Sequence, residues 1–341
     1  MLLVGDIDRG GIFAQMLGTL WLLEADERAL VRGLVVNKFR GDLALFSDGV
    51  RILEEKGNVP VLGVLPYLKN LYLPDEDAVS IEAPPHAEPA SPGQVDIAVL
   101  RLPRIANFDD FDVLRAEPGV RVRYVAAAHE LGKPHVVIIP GTKSTIDDLD
   151  WLRQNGLAEA VIRFARQGGA LVGICGGYQM LGETIDDPQH VESSVESTPG
   201  LGLLPIVTHF LGEKTTLRTR ARIQSSEGWL ASLAGQMLDG YEIHMGNTQG
   251  SQPWLEIISH DSHAVQYDGA VSADGQIWGC YLHGIFANEY FRRAWLENLG
   301  WQAASRAASQ SDLLDRSLEA LADAVEQALD MELLEKIIWE S

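Results

Sequence analysis

The chain has 341 residues, 46% of them apolar and 22% charged, and a formal net charge of −21. That acidity argues against a nucleic-acid partner, which needs clustered Lys and Arg to displace counterions from phosphates, and no basic amphipathic run points to a membrane surface. No apolar stretch approaches the roughly 18 residues of a membrane span, no leader-like segment follows Met1, and two cysteines, Cys175 and Cys280, are too few for a disulfide framework, so a soluble, cytoplasmic protein of two domains is expected.

Residues 1–83 alternate short β-type runs with helical stretches: Leu2–Val4, a helix from Ile12, Gly33–Asn37, a helix over Ala44–Lys56, and Pro60–Leu65. That order predicts a parallel α/β sheet. Leu2-Leu3-Val4 is apolar on both faces, so this strand is expected to have neighbours on both sides. The loop after it, Gly5-Asp6-Ile7-Asp8-Arg9-Gly10-Gly11, is acidic and glycine-bearing, the kind of place where carboxylates hold magnesium beside phosphates. Asp6 or Asp8 is a candidate ligand, against the plainer reading of a solvated turn. Asn37, at the end of the next strand, is a candidate adenine contact, against a strand-capping turn. No Gly-x-x-x-x-Gly-Lys-[Ser/Thr] occurs, so the backbone cradle and lysine that hold β- and γ-phosphates are missing.

Residues 84–93 hold Pro84, Pro85, Pro89 and Pro92 and are expected to be a linker. From 94 to 341 a second α/β series follows: Asp96–Arg101, Val120–Val125, Val136–Pro140, a helix over Leu157–Gln167, Ala170–Ile174, and a helix after Cys175. β-rich segments come next, at Gly240–Met245, Ala264–Tyr267, Gly269–Ser272 and Ile277–Leu282. Apolar residues at three- and four-residue spacing over 311–338 predict an amphipathic terminal helix, expected to pack on this second domain.

The run Gly168–Leu181 is a buried strand that ends on small residues, Gly173-Ile174-Cys175-Gly176-Gly177, and opens into a helix. Such turns push one side chain outward, as in the nucleophile elbow of hydrolases, and glycines permit the bend. Cys175 would sit at a helix N-terminus, whose positive end favours an anion. The first-turn N–H of Gly176 can face a developing oxyanion. Gly141, at the end of another parallel strand, is the candidate second donor. A cysteine nucleophile needs a histidine to take and return its proton. His283 follows an apolar strand and precedes Gly284, which fits a base displayed at a strand end; His244, on one strand face with Glu242, is the rival. Cys280 reads as a small core residue.

In combination these segments resemble the cobyric acid synthases, a family of glutamine amidotransferases of cobalamin biosynthesis, over nearly the whole chain. The resemblance rests on Val4-Gly5-Asp6-Ile7-Asp8-Arg9-Gly10-Gly11, on Asn37-Lys38, on residues 135–181 with the Cys175 elbow and the following Gln179, and on Tyr281-Leu282-His283-Gly284-Ile285-Phe286. It implies an α/β fold: an incomplete P-loop, dethiobiotin-synthetase-like parallel sheet, followed by a class I glutamine amidotransferase-like, flavodoxin-like domain. It implies Cys175 as nucleophile, His283 as base, and Gln179, Glu242 and His244 near the glutamine. It implies ATP and magnesium as cofactors, and amidation of the b, d, e and g carboxylates of adenosylcobyrinic acid a,c-diamide with ammonia from glutamine.

Where many triad amidotransferases carry a Glu two residues past the histidine, this chain has Ile285, and the cobyric acid synthase branch is likewise assigned only Cys and His. A two-residue Cys–His site is therefore expected, with a backbone carbonyl fixing the tautomer. Family members place the phosphate loop well upstream of Val4, so an N-terminally incomplete form competent in glutamine hydrolysis alone is expected. The rival readings are cobyrinate a,c-diamide synthase, a glutaminase subunit of another amide ligase, and a non-catalytic fragment.

Overall fold

The computed structural model describes residues 1–68, 71, 94–225, 228–250, 253–258, 265–302 and 310–339, apart from the side chains of 211, 213–216 and 310–313. The proline-rich segment 84–93 and Ala264 lie outside them. The chain divides into two compact units, Met1–Leu73 with Ser311–Ser341, and Pro74–Gln310.

In the first unit, β1 (Leu2–Asp6), β2 (Gly33–Phe39) and β3 (Val61–Pro66) form a parallel sheet in that order. Helix Ile12–Leu22 turns Ile12, Met16, Leu17 and Leu20 inward, the three- and four-residue spacing of an apolar helix face. β1 was expected between two neighbours. Among the described residues it pairs only with β2, and Val4 is 56% exposed. Its apolarity on both faces is met on one side only, where Ile12 and Met16 pack over Gly5.

The terminal segment corrects the expectation that it packs on the second domain as one helix. It forms two, Gln310–Ala328 and Met331–Trp339, and belongs to the first unit. Leu329 bridges Gly63 of β3, and Asp330 N–H donates to Leu62 O at 2.8 Å. Gly63 is what admits this contact, because a Cβ there would stand 2.0 Å from Ala328 O.

The second unit holds two sheets. The first runs β14 (Ala270–Val271), β15 (Ile277–Cys280), β7 (Ala170–Ile174), β6 (Val136–Ile139), β4 (Val95–Leu100), β5 (Val120–Val125), and is parallel apart from β14. β4, β6 and β7 are buried along their whole length, as their unbroken Val, Ile and Leu runs require of strands covered on both faces. Helices Thr145–Gln154, Leu157–Arg166 and Glu289–Asn298 contribute to its large apolar core.

The second sheet comprises β8 (Thr184–Asp186), β9 (Ser197–Pro199), β10 (Ile206–Ile223), β11 (Met237–Gly250), β12 (Leu255–Ile258) and β13 (Gln266–Asp268), built around the long hairpin of β10 with β11. The two sheets meet at an isolated bridge in which Tyr241 of β11 and His283 exchange backbone hydrogen bonds of 3.2 and 2.8 Å.

Candidate functional site

β7 lies between β6 and β15, so the loops leaving all three carboxyl ends converge where Cys175 turns out of the sheet. Cys175 has φ 52° and ψ −111°, a conformation that costs an L-residue ~1–3 kcal/mol and persists only when its surroundings fix it. They do so from both sides. Its N–H continues the β15 ladder to Cys280 O at 2.9 Å, and a Cβ at Gly177 would lie 1.9 Å from Ile139 O, so only glycine lets the following helix Gly176–Met180 pack this close to β6. Gly141 abuts both Cys175 and His283, with a notional Cβ 3.1 Å from His283 Cε1 and 3.7 Å from Cys175 Cβ. Its loop is pinned by buried Asp148, which accepts from Thr142 Oγ1 at 2.5 Å and from Arg104 N–H at 3.2 Å.

His283 is 1% exposed and lines the same cavity as Cys175, whose Sγ lies 3.5 Å from Ile243 O. Its partner was not foreseen. Asp110 Oδ2 lies 2.7 Å from His283 Nδ1, and Oδ1 accepts Gly284 N–H at 2.8 Å, so one carboxylate orients the ring and fixes the backbone beside it. This corrects the expected two-residue site, because a side-chain carboxylate, not a backbone carbonyl, holds the tautomer. It comes from the loop after β4 and not from position 285. Burial alone pulls the His283 pKa down, but Asp110 and Cys175 together outweigh it and push it up to about 10. Asn107 Nδ2 is 3.1 Å from each ring nitrogen, an equidistance that places it against the ring and not along either lone pair. Tyr241 stacks on the ring, centroids 5.2 Å apart.

Cys175 and His283 share a cavity of about 300 Å³. Gly141, Gly176, Gln179 and His244 also line it. Gln179 is 2% exposed and its amide is already engaged, accepting from Thr145 Oγ1 at 2.8 Å and donating to Tyr281 Oη at 3.1 Å. His244 stacks on Tyr281 at 3.7 Å, with Nδ1 2.9 Å from Gly246 O and Nε2 3.3 Å from Glu242 Oε2. Both its nitrogens face acceptors, so neither offers a free lone pair to a thiol, which separates it from His283. Glu242 is not on the cavity wall; it stands behind His244. Cys280 is fully buried, and burial pushes its thiol up, as suits a core residue.

In the first unit the anticipated magnesium ligands are neutralised by cations. Asp6 accepts from Lys38 Nζ at 2.9 Å, and this bond holds its carboxyl below the usual range. Asp8 takes Arg40 at 2.7 and 3.1 Å, and the Arg40 guanidinium lies 3.4 Å above the Tyr67 ring. The Asn37 side-chain oxygen accepts Lys38 N–H at 2.8 Å. Among the described residues no group of three or more His, Cys, Asp and Glu side chains is gathered as a metal site. Two carboxylates already paired with Lys and Arg do not fit a divalent cation.

Residues 96–291 match the CobB/CobQ-like glutamine amidotransferase domain. The chain is 51% identical over 340 residues to a cobyric acid synthase of Chloroflexus aggregans, covering 98% of this chain and 66% of that protein. To one of Chloroflexus aurantiacus it is 52% identical over 341 residues, covering 99% and 67%. It thus spans about two thirds of the length of these relatives. Among solved structures, PurLQS from Thermotoga maritima is similar at 17% identity and a TM-score of 0.45, covering 66% of this chain and 99% of that one. No helix among the described residues is long and apolar enough to cross a membrane. With about half its residues identical to these relatives along nearly its whole length, the chain belongs to the cobyric acid synthase family, and residues 96–291 to that family's glutamine amidotransferase domain.

Proposed function

We propose that this chain hydrolyses L-glutamine at Cys175, and that in the whole protein the ammonia serves ATP-dependent amidation of the b, d, e and g carboxylates of adenosylcobyrinic acid a,c-diamide. The observation that carries the hydrolytic half is the strained Cys175 elbow facing, in one cavity, a histidine whose far nitrogen is held by a buried carboxylate. The amidation half is supported by family membership.

The Cys175 thiolate adds to the side-chain carboxamide carbon of glutamine, forming the C–S bond while the carbonyl pair moves onto oxygen. The N–H groups of Gly176 and Gly141 receive that oxyanion. His283, as imidazolium, gives its proton to the amide nitrogen, the C–N bond breaks, and ammonia leaves a γ-glutamyl thioester. Neutral His283 then takes a proton from water, whose oxygen attacks the thioester; the second tetrahedral adduct expels the thiolate and glutamate departs. Asp110 keeps the imidazole in the tautomer and orientation that both transfers need. Gln179 and His244 shape the pocket, and Glu242 acts through His244.

The test is glutamate release from L-glutamine by the purified chain. Turnover is expected from the parent chain and none from Cys175→Ala. A folded chain that releases no glutamate overturns the reading.

A further inference from the structure

His283 follows a strand of the first sheet of the second unit, yet part of its support comes from the second sheet. β11 reaches it at Gly240 and Tyr241. A Cβ on residue 240 would stand 2.4 Å from His283 O, so only glycine permits the approach. Tyr241 N–H then donates to His283 O and His283 N–H to Tyr241 O, at 3.2 and 2.8 Å. The Tyr241 ring lies along the imidazole, centroids 5.2 Å apart and planes 17° from parallel. Two residues earlier on β11 a side chain continues the ladder. Asn288 Oδ1 accepts Asp239 N–H at 2.9 Å while its Nδ2 donates to Asp239 O at 2.9 Å, so the carboxamide pairs with β11 as a peptide group of a neighbouring strand would. Nδ2 also donates to Ile285 O at 3.0 Å and faces Gly284 O at 3.4 Å, which binds the turn after the base to the same strand. Neither Tyr241 nor Asn288 is among the residues lining the cavity.

We infer that Tyr241 and Asn288 are positioning residues for the base: Asn288 fastens the turn after His283 to β11, and the Tyr241 ring holds the imidazole against Asp110. The inference rests on the glutamine hydrolysis proposed above and adds that the second sheet, through β11, sets where the base of that reaction stands. A base displaced by about 1 Å loses on the order of 10²-fold in rate, so contacts that never meet the substrate still govern the proton transfers. An aromatic face within about 6 Å also attracts a cation, which favours the imidazolium that gives its proton to the amide nitrogen. Asp110 fixes one nitrogen of the ring, and Tyr241 and Asn288 fix the ring plane and the backbone that carries it.

NMR of the full chain carrying isotope-labelled histidine reads the base without turnover. The Nδ1 proton shared with Asp110, assigned by its loss in His283→Gln, is expected to exchange slowly with water in the parent. Tyr241→Ala and Asn288→Ala should each speed that exchange by roughly tenfold, about what one net hydrogen bond contributes to local stability. In steady-state glutamate release both should lower kcat by ~10–10²-fold and leave KM within about threefold, whereas a merely structural loosening would raise KM as well. Tyr241→Phe keeps the ring and should recover most of kcat. Asn288→Asp should not, because an oxygen then replaces the donor that faces Asp239 O and Ile285 O. If Tyr241→Ala fails to fold, Tyr241→Leu, which keeps bulk without the aromatic face, carries the same expectation. Exchange as slow in these variants as in the parent, a KM that rises as far as kcat falls, or full activity in Asn288→Asp overturns the inference. A parent whose protected proton is lost in the variants but which releases no glutamate contradicts the hydrolysis and leaves the positioning standing.

Discussion

Two carboxylate–cation contacts in this molecule have the same length and opposite surroundings. His283–Asp110 spans 2.7 Å with side chains 1% and 5% exposed; Arg40–Asp8 spans 2.7 Å with side chains 52% and 40% exposed. Water screens the second pair and competes for its hydrogen bonds, whereas the first has no such alternative, so removing one partner of it strands a buried polar group. Against the pull of burial, Asp110 together with Cys175 pushes His283 up to about 10. Contact distance therefore does not measure what a pair does; burial decides it. Cys175 and His283 of the second unit are buried, while the carboxylates of the first unit's acidic loop are partly exposed and already matched by Lys38 and Arg40.

The largest effect expected of that contrast is on glutamine hydrolysis. Cys175→Ala should lower kcat by about 10⁴-fold or more, since no other group replaces the nucleophile. Asp6→Asn and Asp8→Asn should leave it within about twofold, as surface changes remote from a site usually do. Steady-state glutamate release decides. A large loss in Asp8→Asn would mean that the exposed loop takes part in hydrolysis and would break the contrast.

Asp110→Asn should come next, lowering kcat by ~10²–10⁴-fold while changing KM little, because it misorients the base without touching the pocket. The sign of its pH dependence is fixed. The folded His283 pKa, about 10, lies above the ordinary 6.5, so the stability this pair contributes is fully present below pH 6.5 and is lost as pH rises towards about 10. Thermal melts of the parent and Asp110→Asn should accordingly differ most at acidic to neutral pH and converge by pH 10. A constant gap across that range would show that Asp110 acts by packing alone.

Asp110 also marks where sequence reading ran out. The elbow was legible because Gly173, Gly176 and Gly177 flank a cysteine at a strand end, where small residues permit the sharp bend into a helix, and the parallel order of β4, β6 and β7 followed from their continuous apolar runs. In Asn107-Phe108-Asp109-Asp110-Phe111-Asp112, three aspartates follow a strand end and nothing local distinguishes the one that meets a histidine far along the chain. That contact exists only once β4 and β15 share a sheet. The same limit applies to the contact of Glu192 with Thr145 N–H, which depends on Asp187 holding residues 191–193 in place. Spacing on residues 311–338 identified an amphipathic face but could not say which sheet it covers; Gly63, a small gap in β3, is the feature that chose, and it reads as an ordinary strand glycine without the partner in view.

Gly63→Ala uses that gap to separate the units. The new Cβ would stand 2.0 Å from Ala328 O and 2.7 Å from Leu329 Cδ2, so the terminal helices must shift, at ~1–3 kcal/mol for an overpacked contact. Faster hydrogen exchange is expected in Gln310–Ala328 and Met331–Trp339 while glutamine hydrolysis stays within about twofold. Unchanged exchange in those helices would show that the Leu329 contact does not hold them.

The smallest effect should come from the exposed pair itself. A double-mutant cycle on Asp8→Asn and Arg40→Met removes the contact while cancelling what each change does alone. Although Arg40 grips Asp8 through two nitrogens and lies over Tyr67, both side chains are well exposed, and pairs of this kind couple by about 0.2–1 kcal/mol, less as salt rises. Urea melts of the four proteins at low and high salt measure it. A coupling of several kcal/mol, insensitive to salt, would mean that the acidic loop is shielded from water in solution, and the contrast between an exposed first unit and a buried second one would fall with it.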